Sequence, residues 1–145
     1  MALNADNALD SDAFALGVIF AFCEMVAAGV KQLALSEPAT PERMQAILPE
    51  ARRMAEQFKV ELYLETDLIQ TDLFPAYQAG GKQVLLIYRG DALERYLALK
   101  RERERLSLGR GYAGEPRRRL ARAWGKLLSY SDARINELMA QNAPT

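Results

Sequence analysis

Gln83-Val84-Leu85-Leu86-Ile87-Tyr88 constrains the fold more than any other stretch of the chain. Side chains leave a strand alternately to either side, so a strand that is apolar at consecutive positions has to be covered on both faces. The rest of the chain must supply two coverings. With 145 residues, 50% hydrophobic and 26% charged, there is enough apolar material for one core, and a single domain spanning 1–145 is expected.

The first covering is an apolar helix. Residues 13–30 carry one charge, Glu24. At about 1.5 Å per residue they reach about 27 Å, short of a bilayer core of about 30 Å. A mid-span carboxylate is costly in lipid, and no basic stretch precedes the run as a signal peptide would require. A buried helix, and no membrane partner, is the expectation. Residues 1–9 read as a flexible arm, Asp10 or Ser11 as the helix cap, and Gly29 as its left-handed stop.

Val30 to Ser36, bracketed by Gly29 and Pro38, reads as a short buried strand. Thr40-Pro41-Glu42 is a helix start: a hydroxyl cap, a proline in the first turn, then an acid at the positive end of the dipole. Met44, Ile47, Leu48, Ala51, Met54, Ala55 and Phe58 follow at helical spacing, with Pro49 expected to kink or split the helix. Val60 to Thr66 alternates, placing Val60, Leu62 and Leu64 on one face and Glu61, Tyr63 and Glu65 on the other. A loop from Asp67 to Lys82 leads to the apolar strand. Asp91 with Glu94 suggests a capping box for the next helix. Pro116 opens another helix, and Ser131-Asp132 caps the last, which turns Ile135, Leu138 and Met139 inward.

This order predicts an α/β fold: a small three-layer sandwich of about three core strands, a parallel βαβ unit and a helical C-terminal tail over 116–141. The runner-up is α+β, with the last two strands pairing antiparallel across the long loop.

The chemistry is bounded by what is absent. There is no histidine and one cysteine, Cys23. Ser–His and Cys–His nucleophile pairs and imidazole metal sites are excluded, and a structural zinc site lacks its four ligands. Mg²⁺ on oxygen ligands remains open as a cofactor. A lone thiol in an apolar run reads as a core residue and suits a cytoplasmic protein. Glu24 beside it is expected at the rim or in an ion pair; the sharper reading makes Cys23 and Glu24 part of a pocket, with the carboxyl pKa raised.

In open parallel sheets, ligands bind beyond the carboxyl ends of the strands. That analogy singles out Ser36 and Thr40, the acids Glu65, Asp67 and Asp72 as Mg²⁺ ligands, and Arg89 as a ligand-binding base. Gly80-Gly81-Lys82 and the Gly109, Gly111, Gly114 series lack the strand–loop–helix context of a nucleotide loop and read as connections.

Charge is distributed unevenly. Residues 1–73 hold 12 acids and 5 bases, net −7, and residues 74–145 hold 7 acids and 14 bases, net +7. Ten bases and three acids lie between Lys100 and Lys126, with Arg117 and Arg118 at a helix start where the dipole disfavours cations. Either the acidic half neutralises them or they meet an anionic partner. A nucleic-acid surface would use such arginines on phosphates, but no stacking platform or known binding motif accompanies them.

Two functions follow as expectations. The first is a non-catalytic accessory protein, with a homo-oligomer left open, whose basic helical surface holds an anionic small molecule or an acidic protein partner. The second is a small Mg²⁺-assisted enzyme on a phosphorylated metabolite, with Glu65, Asp67 and Asp72 on the metal and Arg89 or Arg117 on the phosphate.

Overall fold

A computed structural model describes residues 11–75 and 81–143. The arm expected over residues 1–9 lies outside them, as do Asp10, Ala79 and Gly80. The described chain is mixed α and β, with five helices and three strands: α1 (Ser11–Ala27), β1 (Leu33–Leu35), α2 (Pro41–Phe58), β2 (Glu61–Glu65), β3 (Val84–Tyr88), α3 (Ala92–Leu108), α4 (Gly114–Leu127) and α5 (Asp132–Asn142).

The sheet order is β1-β3-β2, and both pairings are antiparallel. Leu33 to Leu35 pair with Tyr88 to Leu86, and Glu61 to Glu65 pair with Tyr88 to Val84. The parallel pairing expected across β1-α2-β2 is therefore corrected: β1 and β2 run in the same direction, but β3 is inserted between them. The runner-up pairing of the last two strands is the one observed. The physical reason lies in β3 itself. The central place loses water on both faces and both edges, and all five residues of β3 are buried, whereas β2 carries Glu61 and Glu65.

Side chains of β3 alternate between two cores. Leu85 and Ile87 join Ile19, Cys23 and Val26 of α1 and Met44, Ile47, Ala51 and Ala55 of α2. Val84, Leu86 and Tyr88 join Tyr96 of α3, Leu120 and Trp124 of α4, and Ile135, Leu138 and Met139 of α5. The stretch expected as a tail, 116–141, thus supplies half of the buried residues of the second core. In β2 the face of Tyr63 and Glu65 turns towards this second core, so Glu65 is 3% exposed while Leu64 is 38% exposed.

The local signals act largely as read. Gly29, at φ +78°, ends α1: the Val30 N–H reaches the Met25 carbonyl at 2.9 Å and the Gly29 N–H reaches Val26 at 3.1 Å. The Thr40 hydroxyl accepts from the Arg43 N–H at 3.3 Å, and the Ser131 hydroxyl accepts from the Arg134 N–H at 3.1 Å. Three readings are corrected. The strand expected over 30–36 is confined to Leu33–Leu35. Pro49 stays inside one continuous helix; both it and Gln45, whose carbonyl it deprives of a donor, are exposed, so water can serve that carbonyl. Asp91 stands at the start of α3 without a side-chain capping bond.

Two glycines test this packing in opposite directions. A Cβ on Gly125 would lie 2.6 Å from Ile135 Cγ1 and 3.3 Å from Leu73 Cδ1, whereas one on Gly17 would meet nothing within 4 Å. Gly125→Ala should lower the unfolding free energy by about 1–3 kcal/mol through overpacking. Gly17→Ala should raise it by about 0.5–1 kcal/mol through helix propensity. Urea denaturation of both variants checks the signs.

Candidate functional site

Residues 66–75 form no helix or strand, yet Ile69, Thr71, Asp72 and Leu73 within them are buried. Irregular backbone removed from water needs a partner for each polar group. Side chains of α3, α4, α5 and the α3–α4 loop supply many of them. The Tyr96 hydroxyl accepts from the Ile69 N–H at 3.1 Å and donates to Glu65 Oε2 at 2.6 Å. Lys100 Nζ donates to the same carboxylate oxygen at 3.0 Å and to the Asp67 carbonyl at 2.7 Å. Glu65 Oε1 accepts from the Asp67 N–H at 2.8 Å. Arg103 Nε donates to the Gln70 carbonyl at 2.9 Å. Arg117 grips Asp72 with two bonds, of 2.7 and 2.8 Å, and Asn142 Nδ2 donates to the Leu73 carbonyl at 3.1 Å. The Tyr112 ring packs under two of these cations, 3.8 Å from Arg103 Cζ and 4.7 Å from Arg117 Cζ.

The protonation states follow from these contacts. Asp72 holds the Arg117 guanidinium above its ordinary pKa. Burial, then the Glu65 bond, raises the Tyr96 phenol, and burial raises Tyr112. Tyr96 is therefore a neutral hydrogen-bonding strut at any ordinary pH.

The residues singled out from sequence fall into separate places. Glu65 and Asp72 are each occupied by a cation of the chain, and Asp67 is exposed. Among the described residues no three acidic or thiol side chains stand together to hold a metal; the acids expected to share one Mg²⁺ are not brought together. Ser36 is buried, its hydroxyl accepting from the Leu85 N–H at 2.8 Å and thereby extending the β1–β3 ladder. Thr40 is the α2 cap. Arg89 donates to the Ala27 carbonyl at 2.8 Å and so caps the end of α1. Arg118 shares Glu115 with Arg122 on the surface. Gly109 to Gly114 connect helix to helix. Glu24 is exposed at the rim of α1, while Cys23 is fully buried in the first core, where burial pushes its thiol from 9.0 up to about 11.

Two recesses flank the clamped loop. On one side an apolar cleft of about 290 Å³ opens beside the edge strand β1. Val18 and Phe22 of α1 form one wall, Leu35 the floor, and Leu68, Phe74 and Tyr130 the other wall. On the other side an open groove of about 600 Å³ runs along α3, lined by Lys100, Arg101 and Arg103 but also by Asp67 and Glu104. The clamp, the cleft and the groove were not expected from sequence. The available signal was composition: Leu68, Ile69, Leu73 and Phe74 are too apolar for a solvated loop.

Tyr96→Phe removes the bonds to both Glu65 and Ile69 and leaves a buried N–H without a partner. It should lower the unfolding free energy by roughly 1–3 kcal/mol in urea denaturation, against a much smaller effect for Tyr112→Phe. Cys23 gives a second check. The folded thiol keeps its proton to about pH 11, while the unfolded one loses it from its ordinary 9.0. The unfolded state thus binds fewer protons in that window, and stability should fall as pH rises from 9 towards 11. Cys23→Ala should flatten that part of the profile, and the native thiol should react with a disulfide reagent only as fast as the chain opens.

Comparison with protein-family models, with curated proteins and with solved structures found no match to this chain.

Proposed function

We propose that the protein is a non-catalytic binding protein whose ligand is a small molecule with an apolar body, seated in the cleft between α1, the β1 edge and residues 68–75. The observation that carries this reading is the cleft itself. Its volume of about 290 Å³ falls just under the usual span of small-molecule sites, about 300 to 1,000 Å³, which suits a small ligand. Phe22, Leu35, Phe74 and Tyr130 present apolar surface to it. The loop that forms one wall is held by charge-assisted bonds, so the wall is set before a ligand arrives, which lowers the entropy cost of binding. Arrangement of helices on both sides of the sheet, the three-layer reading, is supported by the alternation of β3 side chains between the two cores. The buried, unpaired Cys23 thiol suits a cytoplasmic setting. Among the described residues no helix is long and apolar enough to cross a membrane.

The basic helical surface supports a second reading on narrower ground. Lys100, Arg103 and Arg117 are engaged with residues 65–72, and Arg105, Arg118, Arg122 and Lys126 pair with neighbouring acids. Arg101, Arg110 and Arg119 are exposed and carry what remains of an anion-binding surface.

Titration with octan-1-ol and with 1-naphthol, followed by amide chemical shifts, tests the cleft. Saturable shifts should centre on Val18, Leu35 and Phe74. Val18→Trp, which fills the cleft from α1, should weaken binding by at least about tenfold, matching the loss of about 1.4 kcal/mol of apolar burial. Unsaturable shifts, or shifts spread over the surface, would remove the reading. Salt-sensitive binding of heparin confined to Arg101, Arg110 and Arg119 would favour the second.

A further inference from the structure

Lys31 is a half-buried cation near the cleft that pairs with no acid among the described residues. It leads into β1, where Leu35 forms the cleft floor. Its Nζ lies 5.8 Å from the centre of the Phe22 ring and 5.0 Å from that of Tyr130, two of the rings that line the cleft. One of its three donors goes to the Leu128 carbonyl at 2.8 Å, at the end of α4. That bond and the two rings fix where the ammonium stands, and the negative end of the α4 dipole favours a positive charge there. None of these contacts supplies a counter-ion, and among the described residues two of the three N–H donors have no partner. Burial lowers the Lys31 pKa from its ordinary value, which measures the cost of a cation held partly out of water without an anion beside it.

Lys31 stands behind the Phe22 and Tyr130 rings, and the one charged side chain in the cleft lining itself has the opposite sign. β1 runs from the Lys31 end to Glu37, an exposed acid that lines the cleft beyond Ser36. At about 3.3 Å per residue, positions 31 and 37 lie at most about 20 Å apart along the chain. An acid placed with its head at Glu37 would be repelled; the same acid reversed would bring its head towards Phe22 and Tyr130, the rings beside Lys31.

We infer that the cleft selects a monocarboxylate, with its apolar body on Leu35, Phe22 and Phe74 and its carboxylate paired with Lys31. This inference rests on the cleft being the binding site. A carboxylate is the fitting class because one ammonium neutralises one charge; the second charge of a phosphate monoester would be left unpaired beside apolar rings. Formation of the pair removes the desolvated, unmatched cation and completes the remaining donors of Lys31.

The test compares octanoate, octan-1-ol and octylamine on the intact chain by calorimetry, in the wild type, Lys31→Met and Lys31→Arg. Octanoate should bind the wild type at least about tenfold more tightly than octan-1-ol, the factor expected for one charge-assisted hydrogen bond. Octylamine should bind more weakly than the alcohol. Lys31→Met, which keeps a linear apolar side chain, should bind octan-1-ol as the wild type does and lose the preference for octanoate. Lys31→Arg should keep it in part. Equal binding of octanoate and octan-1-ol to the wild type would overturn the inference without any variant and leave the cleft standing as an apolar site. Retention of the preference in Lys31→Met would overturn the role of Lys31. If neither octyl compound binds the wild type, the cleft reading fails and the inference falls with it.

Discussion

Burying an irregular loop is the constraint around which the C-terminal half of this protein is arranged. Residues 66–75 carry polar backbone groups into the second core, and neither a helix nor a ladder satisfies them. Tyr96, Lys100, Arg103 and Asn142 bond that backbone, and Arg117 holds the Asp72 carboxylate; the five come from three successive helices. Their side chains can reach the loop only if α3, α4 and α5 are packed as they are, with the Tyr96 and Trp124 rings tilted against each other at 46° and 5.1 Å between centres. Loop and helices therefore specify each other. Either alone would leave buried polar groups unsatisfied, at a cost of roughly 1–3 kcal/mol for each.

The uneven charge of the chain follows from the same arrangement. The acidic first half sends Glu65 and Asp72 into the clamp, and the basic second half meets them with Lys100 and Arg117. Of the twelve remaining bases of that half, five pair with acids of the same half among the described residues, at three to seven residues' distance, as in Arg105 with Glu102 and Arg122 with Glu115. Those exposed pairs contribute little to stability. The two clamp pairs matter more, because their carboxylates, Glu65 and Asp72, are buried, and each would be left unmatched without its cation.

Features written over a few residues could be read directly. Gly29 stops α1, Thr40 and Ser131 cap their helices, α2 shows its buried stripe, and Val84 to Tyr88 fill the doubly covered strand. Features that depend on distant partners could not. Strand order is fixed by which strand best tolerates the centre, and nothing within β1 or β2 announces that β3 will come between them. Alternation in β2 gives two faces correctly, but Glu65 turns out to lie on the buried one because Tyr96 and Lys100, more than thirty residues away, neutralise it. The same separation hid the site. Lys100, Arg103 and Arg117 look like a solvated basic face until the loop they hold is placed against them, and Lys31 has no sequence neighbour that marks it.

Placing β3 between β1 and β2 also sets the order in which the sheet can come into being. In chain order the two outer strands precede the middle one, and they never touch each other: Ala34 and Leu62 meet only through Ile87. Until residue 88 is available, both outer strands have open edges on each side, with apolar residues that face nothing but α1 and α2. A growing chain of this kind cannot assemble its sheet strand by strand as a meander does. It holds two unpaired edges and closes both ladders at once, with sequence separations of about fifty residues on the β1 side. That makes the interval between residues 65 and 88 the most exposed stage of its synthesis, when an unpaired edge is a template for association with another chain.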